Sequence, residues 1–176
     1  MKTYIVLLRG INVSGKNKLP MAELRQLLNE LDFQNVQTYI QSGNIILRSD
    51  ESKKVICKKI KNGIKTQFGY DVPVLARTVE EWKKVVANYP FPTDNPKIVA
   101  FVFLDQKTEI TEIEIKNKGE DLFKIEEDMV YFYCSNGFGK SKLTNNVFEK
   151  KLNVIATTRN YKTTIKLLEL AENKPS

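Results

Sequence analysis

The 176-residue chain has no histidine, one tryptophan and two cysteines. Without histidine there is no imidazole general base, no histidine-activated serine or cysteine nucleophile, and no histidine ligand for zinc. Any catalysis must rest on Lys, Arg, Asp, Glu, Tyr, Cys or Ser. Cys57 and Cys134 make neither a disulfide framework nor a Cys-x-x-Cys pair, so no metal and no cofactor is expected, and a reducing cytosol suits the composition. The 8 glycines and 6 prolines are too few for a low-complexity chain. No stretch approaches the ~18 apolar residues of a membrane span, and Lys2 leads straight into a strand pattern without a cleavage site. The expectation is a cytoplasmic protein with no membrane partner.

What is present is basic: 28 Lys and Arg stand against 21 Asp and Glu, a net charge of +7. Such a surplus favours anionic partners, although scattered surface lysine gives the same total. Residues 1–95 and 129–176 are net basic, whereas residues 105–128 are net acidic. With 41% hydrophobic and 28% charged residues, the chain has enough apolar material for one ordinary domain or two small ones.

Thr3–Arg9 (TYIVLLR) is almost continuously apolar, the mark of a strand in the middle of a sheet. Met21, Leu24, Leu27, Leu28 and Leu31 recur at helical spacing behind Pro20, which suits a first turn. Residues 36–40 and 44–47 read as a hairpin around Gln41-Ser42-Gly43. Asp50 is the expected N-cap of a helix with Ile56, Ile60 and Ile64 on one face, and Gly69 its stop. Residues 72–76 read as a strand that Pro73 places at an edge or at its own start, and Thr78 caps a further helix with Glu80 and Glu81 in its first turn.

Tyr89–Pro96, with three prolines, reads as a linker. Residues 97–104 are the second strong strand, followed by a charged stretch (107–118) fit for a short helix or an irregular edge. A hairpin (122–125 with 129–134) and helices over 143–152 and after Asn160 complete the chain. The expected class is α+β: two ferredoxin-like (βαββα) halves with mainly antiparallel sheets, divided as 1–89, a linker 90–96, and 97–176.

Four loops carry the chemistry. Residues 9–18 (RGINVSGKNK) join cations at Arg9, Lys16 and Lys18 to Gly10, Gly15, Asn12 and Ser14, a composition suited to holding an anion or to a plain connection. Gly139-Lys140-Ser141 matches the end of the G-x-x-x-x-G-K-[ST] phosphate loop, but Cys134 stands where its first glycine belongs. The triplet at a helix start could still bind a phosphate through backbone donors; the alternative is a turn with an exposed lysine. Thr157–Asn160 is a helix-start signal whose Arg159 could fork onto a carboxylate or a phosphate. Ser42 and Asn44 belong to a hairpin turn with a ligand-facing role as the lesser reading. On the 51–67 helix, Lys54, Lys58, Lys61 and Lys65 line one face that a nucleic-acid backbone could follow. Tyr131, Phe132 and Tyr133 read as core.

The segments 9–21, 38–44 (TYIQSGN), 139–144 (GKSKLT) and 157–160 (TTRN) resemble the signature segments of the bacterial domain of unknown function 1697. The family pattern commonly has glycine at Ser14 and tryptophan at Tyr161. The resemblance implies a two-part cytoplasmic α+β protein with ferredoxin-like halves, and it implies no activity and no catalytic residue.

The expected function is binding of a phosphorylated small molecule or nucleotide in a cleft between the halves, through Arg9, Gly10, Asn12, Gly15, Lys16, Ser42, Asn44, Gly139, Lys140, Ser141, Arg159 and Asn160. The alternatives are an enzyme on such a substrate, with Lys16 or Lys140 stabilising transition-state charge, and a nucleic-acid-binding protein. The sequence sets no oligomeric state.

Overall fold

The computed structural model describes residues 1–173, and the chain divides into two units. One comprises Met1–Lys84 and the C-terminal stretch from Leu167; the other is Val85–Lys166.

The first unit begins β1 (Lys2–Leu8), α1 (Met21–Glu30), β2 (Gln34–Tyr39), β3 (Asn44–Ser49), α2 (Lys53–Phe68) and β4 (Val74–Thr78), and α3 (Val79–Ala87) follows. Its sheet runs β2-β3-β1-β4 with every pair antiparallel. The continuous apolar run of β1 therefore lies at the centre. Tyr4, Val6 and Leu8 face the Leu24, Leu27, Leu28 stripe of α1 and the Ile56, Ile60, Ile64 stripe of α2 in one buried cluster. Ile5, Leu7 and Ile46, on the opposite face by alternation, are buried as well. Both faces being dry explains why β1 lacks polar alternation. Trp82 of α3 is fully buried.

The second unit holds β5 (Val99–Leu104), β6 (Leu122–Glu126), β7 (Met129–Tyr133), α4 (Asn145–Leu152), β8 (Ala156–Asn160) and the start of α5 (Tyr161–Glu172). The sheet order β6-β7-β5-β8 repeats that of the first unit strand for strand, again antiparallel throughout. Ala100, Val102 and Leu104 of β5 pack with Phe148 and Leu152 of α4. On the other face Tyr89, Phe101 and Tyr131 form an aromatic cluster, and the Tyr89 hydroxyl donates to the Phe132 carbonyl at 2.7 Å. Burial pushes the Tyr131 phenol up to about 12.

The βαββα reading of the second half and the cap of α2 are corrected. The stretch after β5 takes the irregular course, one of its two expected forms, and no helix: Ile110, Ile113 and Ile115 fit neither a 3.6-residue nor a 2-residue period, so no continuous face can form. Ile113 and Ile115 still pack against the core, and the Thr108 amide donates to the Glu127 carbonyl. The second unit thus lacks the first crossover helix of a βαββα half. At α2 the cap is Ser52, whose hydroxyl accepts from the Val55 amide, whereas Asp50 pairs with the N-terminal ammonium at 2.7 Å.

Thr78 and Glu81 form a reciprocal capping box at α3: the Glu81 amide donates to Thr78 Oγ1 and the Thr78 amide to Glu81 Oε2. Partial burial acts against ionisation of Glu81, but the Lys53 ammonium and the Thr78 amide outweigh it and hold the carboxyl below the usual range. A depressed folded-state pKa contributes stability above the unfolded value, lost as pH falls through the folded one. Glu81→Gln should therefore lower stability at pH 7 and flatten its loss below about pH 4, read from urea midpoints across pH; parallel pH curves for the two proteins would reject this role.

Candidate functional site

The loop between β1 and α1 is a miniature hairpin. Val13 and Lys16 form an isolated bridge, and the Lys16 amide donates to the Val13 carbonyl at 2.9 Å. Both central residues, Ser14 and Gly15, have positive φ (50° and 73°), as the tightest hairpin turns demand. Its stem is fastened by two asparagines. Asn12 Nδ2 donates to the Leu19 and Gln41 carbonyls at 3.0 and 2.8 Å, and Asn12 Oδ1 accepts from the Leu19 amide at 2.8 Å. Asn17 Nδ2 donates to the Gly10 carbonyl at 3.0 Å. Asn12 thereby ties this hairpin to the β2–β3 turn.

That turn is fitted to the same place. At Gly43, φ is 82°, and a Cβ would lie 2.7 Å from Leu8 Cβ and 2.9 Å from Ile11 Cδ1, so no side chain fits. The Leu8 amide donates to the Gly43 carbonyl. Asn44, fully buried, donates from Nδ2 to the Tyr39 carbonyl and to Ser42 Oγ. Of the expected site residues, Gly10, Asn12, Gly15 and Lys16 thus share one hairpin, Ser42 and Asn44 share the turn that Asn12 ties to its stem, and the Arg9 amide donates to the Pro73 carbonyl. Asn12, Ser42 and Asn44 spend their side chains on building the loops.

Beside the stem lies an open groove of about 630 Å³, lined by Asn12, Lys18, Arg25, Gln41 and the first residues of α1. Its lining carries two cations and no carboxylate among the described residues. Pro20, at the cap of α1, makes no side-chain hydrogen bond to the first helical turn. The positive end of the helix dipole and the amides of that turn therefore lie on the groove's wall. Arg25, half-buried, donates from Nη1 to Thr38 Oγ1 at 2.6 Å. Sequence reading passed over Arg25 and took Gln41 only as part of the hairpin turn. The available signal was a lone arginine on the first turns of a helix that follows a cationic loop.

A larger depression of about 740 Å³ on the same unit is lined by Lys2, Arg48, Glu80, Lys83 and Glu172 among others. It mixes both signs of charge, and Lys83 pairs with Glu172 at 2.8 Å. An anion gains little there.

In the second unit the glycine-lysine-serine triplet lies away from a helix start, which corrects the expectation. Phe138–Lys140 is one 3-10 turn, and α4 begins only at Asn145, where Thr144 Oγ1 accepts from the Val147 amide. Ser141 Oγ donates to buried Asp121 at 2.7 Å, Ser135 Oγ donates to the other carboxylate oxygen at 3.2 Å, and Ser141 Oγ accepts from the Leu143 amide. A carboxylate of the chain itself thus occupies this loop's hydroxyls. Lys140 is exposed beside it, with Gly139 in open space. Cys134 is buried, and burial first, then the Asp121 carboxylate, push its thiol up, so it stays protonated at neutral pH.

Arg159 and Asn160 lie at the end of β8. Arg159 is buried, donates from Nη1 to Thr157 Oγ1 and the Thr158 carbonyl, and burial pulls its pKa down to about 10, still cationic at neutral pH. Asn160 Oδ1 accepts from the Thr163 amide and so caps α5. On α2, Lys54, Lys58 and Lys65 are exposed and Lys61 pairs with Asp71 at 3.1 Å. Tyr131 and Phe132 are buried, as core residues should be.

The family model described as "Protein of unknown function (DUF1697)" matches residues 1–131. Among solved structures, the conserved bacterial protein SP0830 from Streptococcus pneumoniae is 25% identical, over 97% of this chain and 98% of that one, with a TM-score of 0.66. No curated protein matches. Among the described residues no helix is long and apolar enough to cross a membrane.

Asn12→Ala removes three hydrogen bonds at once and leaves the Leu19 amide and carbonyl to find other partners. The expected loss is about 2–3 kcal/mol, with faster hydrogen exchange at Leu19 than in the sheet; an unchanged exchange rate there would show that the stem does not depend on Asn12.

Proposed function

The chain belongs to the DUF1697 family, and we propose that it binds a phosphate-bearing small molecule in the groove beside the Gly10–Lys18 hairpin. The observation that carries this reading is the groove's lining: Lys18 and Arg25 stand beside the start of α1 with no acid among the lining residues, Glu23 of that first turn not being one of them. Each element favours negative charge, and together they offer a forked cation, a mobile one and backbone donors. Lys16 and Arg9, on the hairpin and its approach, add long-range attraction. Sugar phosphates and nucleotides satisfy this lining equally well.

The fold reading that accompanies it is ferredoxin-like for each half, supported by the strand order shared by the two sheets and by the two crossover helices of the first unit. A reducing cytoplasm suits two free cysteines, one of them buried.

The test is the melting temperature against inorganic phosphate, ribose 5-phosphate, mononucleotides and short single-stranded RNA, for the native chain, Lys18→Ala and Lys140→Ala. A ligand at ~100 times its Kd adds about 2.7 kcal/mol, hence a rise of roughly 5–10 °C for a chain of this size. The expected result is a shift from a small phosphate compound that is lost in Lys18→Ala and kept in Lys140→Ala. A shift from RNA alone would move the function to the lysine face of α2. Loss in Lys140→Ala instead would move the site to the second unit.

A further inference from the structure

In the first unit the connection from the inner strand β1 to the outer strand β2 is α1, which buries Leu24, Leu27 and Leu28 against the sheet. The equivalent connection in the second unit, from β5 to β6, has no helix, and what it lays on the core is Ile113 and Ile115, both only half-buried. Ile110 is out of step, but from Glu112 to Lys116 charged and apolar residues alternate, and Glu112, Glu114 and Lys116 are exposed. The segment 112–115 pairs with no strand of either sheet among the described residues. It has the side-chain pattern of a half-buried strand and no neighbour.

Two hollows of about 400 Å³ each adjoin along this segment, with Glu114 and Ile115 lining both. The first is completed by Glu112, Ile113 and Lys118, the second by Lys116, Asn117, Lys142, Val147 and Lys151. Lys118 is turned to its own chain, where it donates to the Asp121 carbonyl at 3.1 Å. Carboxylates therefore dominate one end and lysines the other, with Ile113, Ile115 and Val147 between them. None of Glu112, Glu114, Lys116, Lys142 and Lys151 is in an ion pair among the described residues. A surface that is acidic at one end, basic at the other and apolar between is complementary to itself turned end for end. We infer that this face docks a second copy of the chain about a two-fold axis near Ile115. The Glu112 and Glu114 end of each copy then meets the Lys116, Lys142 and Lys151 end of the other. The two extended segments lie antiparallel, each the other's missing neighbour, and the aliphatic strip between the charges is closed over. A ligand of one sign, such as a nucleic acid, would meet repulsion at one end of the same face.

The experiment is sedimentation velocity on the native chain, on Glu112→Lys with Glu114→Lys, on Lys142→Glu with Lys151→Glu, and on an equimolar mixture of these two variants. All four side chains are exposed, and melting temperatures check that the variants fold. The native chain should be a dimer at micromolar concentration and dissociate as salt is raised. Each double reversal sets like charges against each other and should weaken the dimer about a hundredfold. In the mixture every reversed end meets its opposite, and the dimer should return. Both variants keep a net positive charge, so its return cannot come from overall attraction. Lys54→Glu with Lys58→Glu, on α2, should dimerise like the native chain. A monomeric native chain, a dimer indifferent to both reversals, or a mixture that stays monomeric would overturn the proposal. Hydrogen exchange on the native chain gives a reading free of mutation: the amides of 112–115 should slow as concentration rises, and exchange independent of concentration would overturn the antiparallel pairing.

Discussion

The side-chain amide of Asn12 is the constraint on which the first unit's loop cluster depends. One residue accepts from the Leu19 amide, donates to the Leu19 carbonyl and donates to the Gln41 carbonyl, so it closes its own hairpin and binds it to the next turn. No backbone ladder could do this, because the two turns belong to different connections and present no parallel edges. Gly43 completes the fit by letting its backbone touch Leu8 and Ile11 without an intervening Cβ. The loop cluster is therefore fixed on one side through hydrogen bonds and on the other through contact with the core.

The second unit solves a similar problem with a charge. Asp121, next to β6, gathers Ser135 and Ser141 from both ends of the Gly137–Lys140 loop. The resemblance of this loop to a phosphate-binding loop is thus one of residue types only. Its hydroxyls already have an anion, supplied by the chain itself. The two glycine- and lysine-bearing loops look alike in composition and differ in what fills them.

The parts of the fold that could be read from the residues are those with long, unambiguous patterns. β1 and β5 are continuous apolar runs and are the central strands; α1 and α2 have clean stripes and bury them. The stretch 107–121 has isoleucines without a period, and only tertiary contacts decide its path. Asp50 and Ser52 are both good caps, and the choice turned on which lies one residue before the first helical position. For the candidate site, composition drew attention to residues 9–18 and 38–44, two loops that the Asn12–Gln41 bond joins. It did not reveal that their asparagines are structural, since an amide on a loop has the same letters whether it meets a ligand or a carbonyl. Nor could it show Ile40 at positive φ, because isoleucine is among the residues least expected there.

Trp82 is the only tryptophan in the chain and is fully buried on α3, within the unit that carries the groove. Its indole emission is therefore an optical label placed by nature on one unit alone. The tyrosines Tyr89, Tyr131, Tyr133 and Tyr161 belong to the other. Denaturation followed at tryptophan wavelengths therefore records the first unit, whereas the tyrosine signal mixes both, because Tyr4, Tyr39 and Tyr70 lie in the first; a tyrosine change that continues past the tryptophan midpoint would be the second unit unfolding by itself.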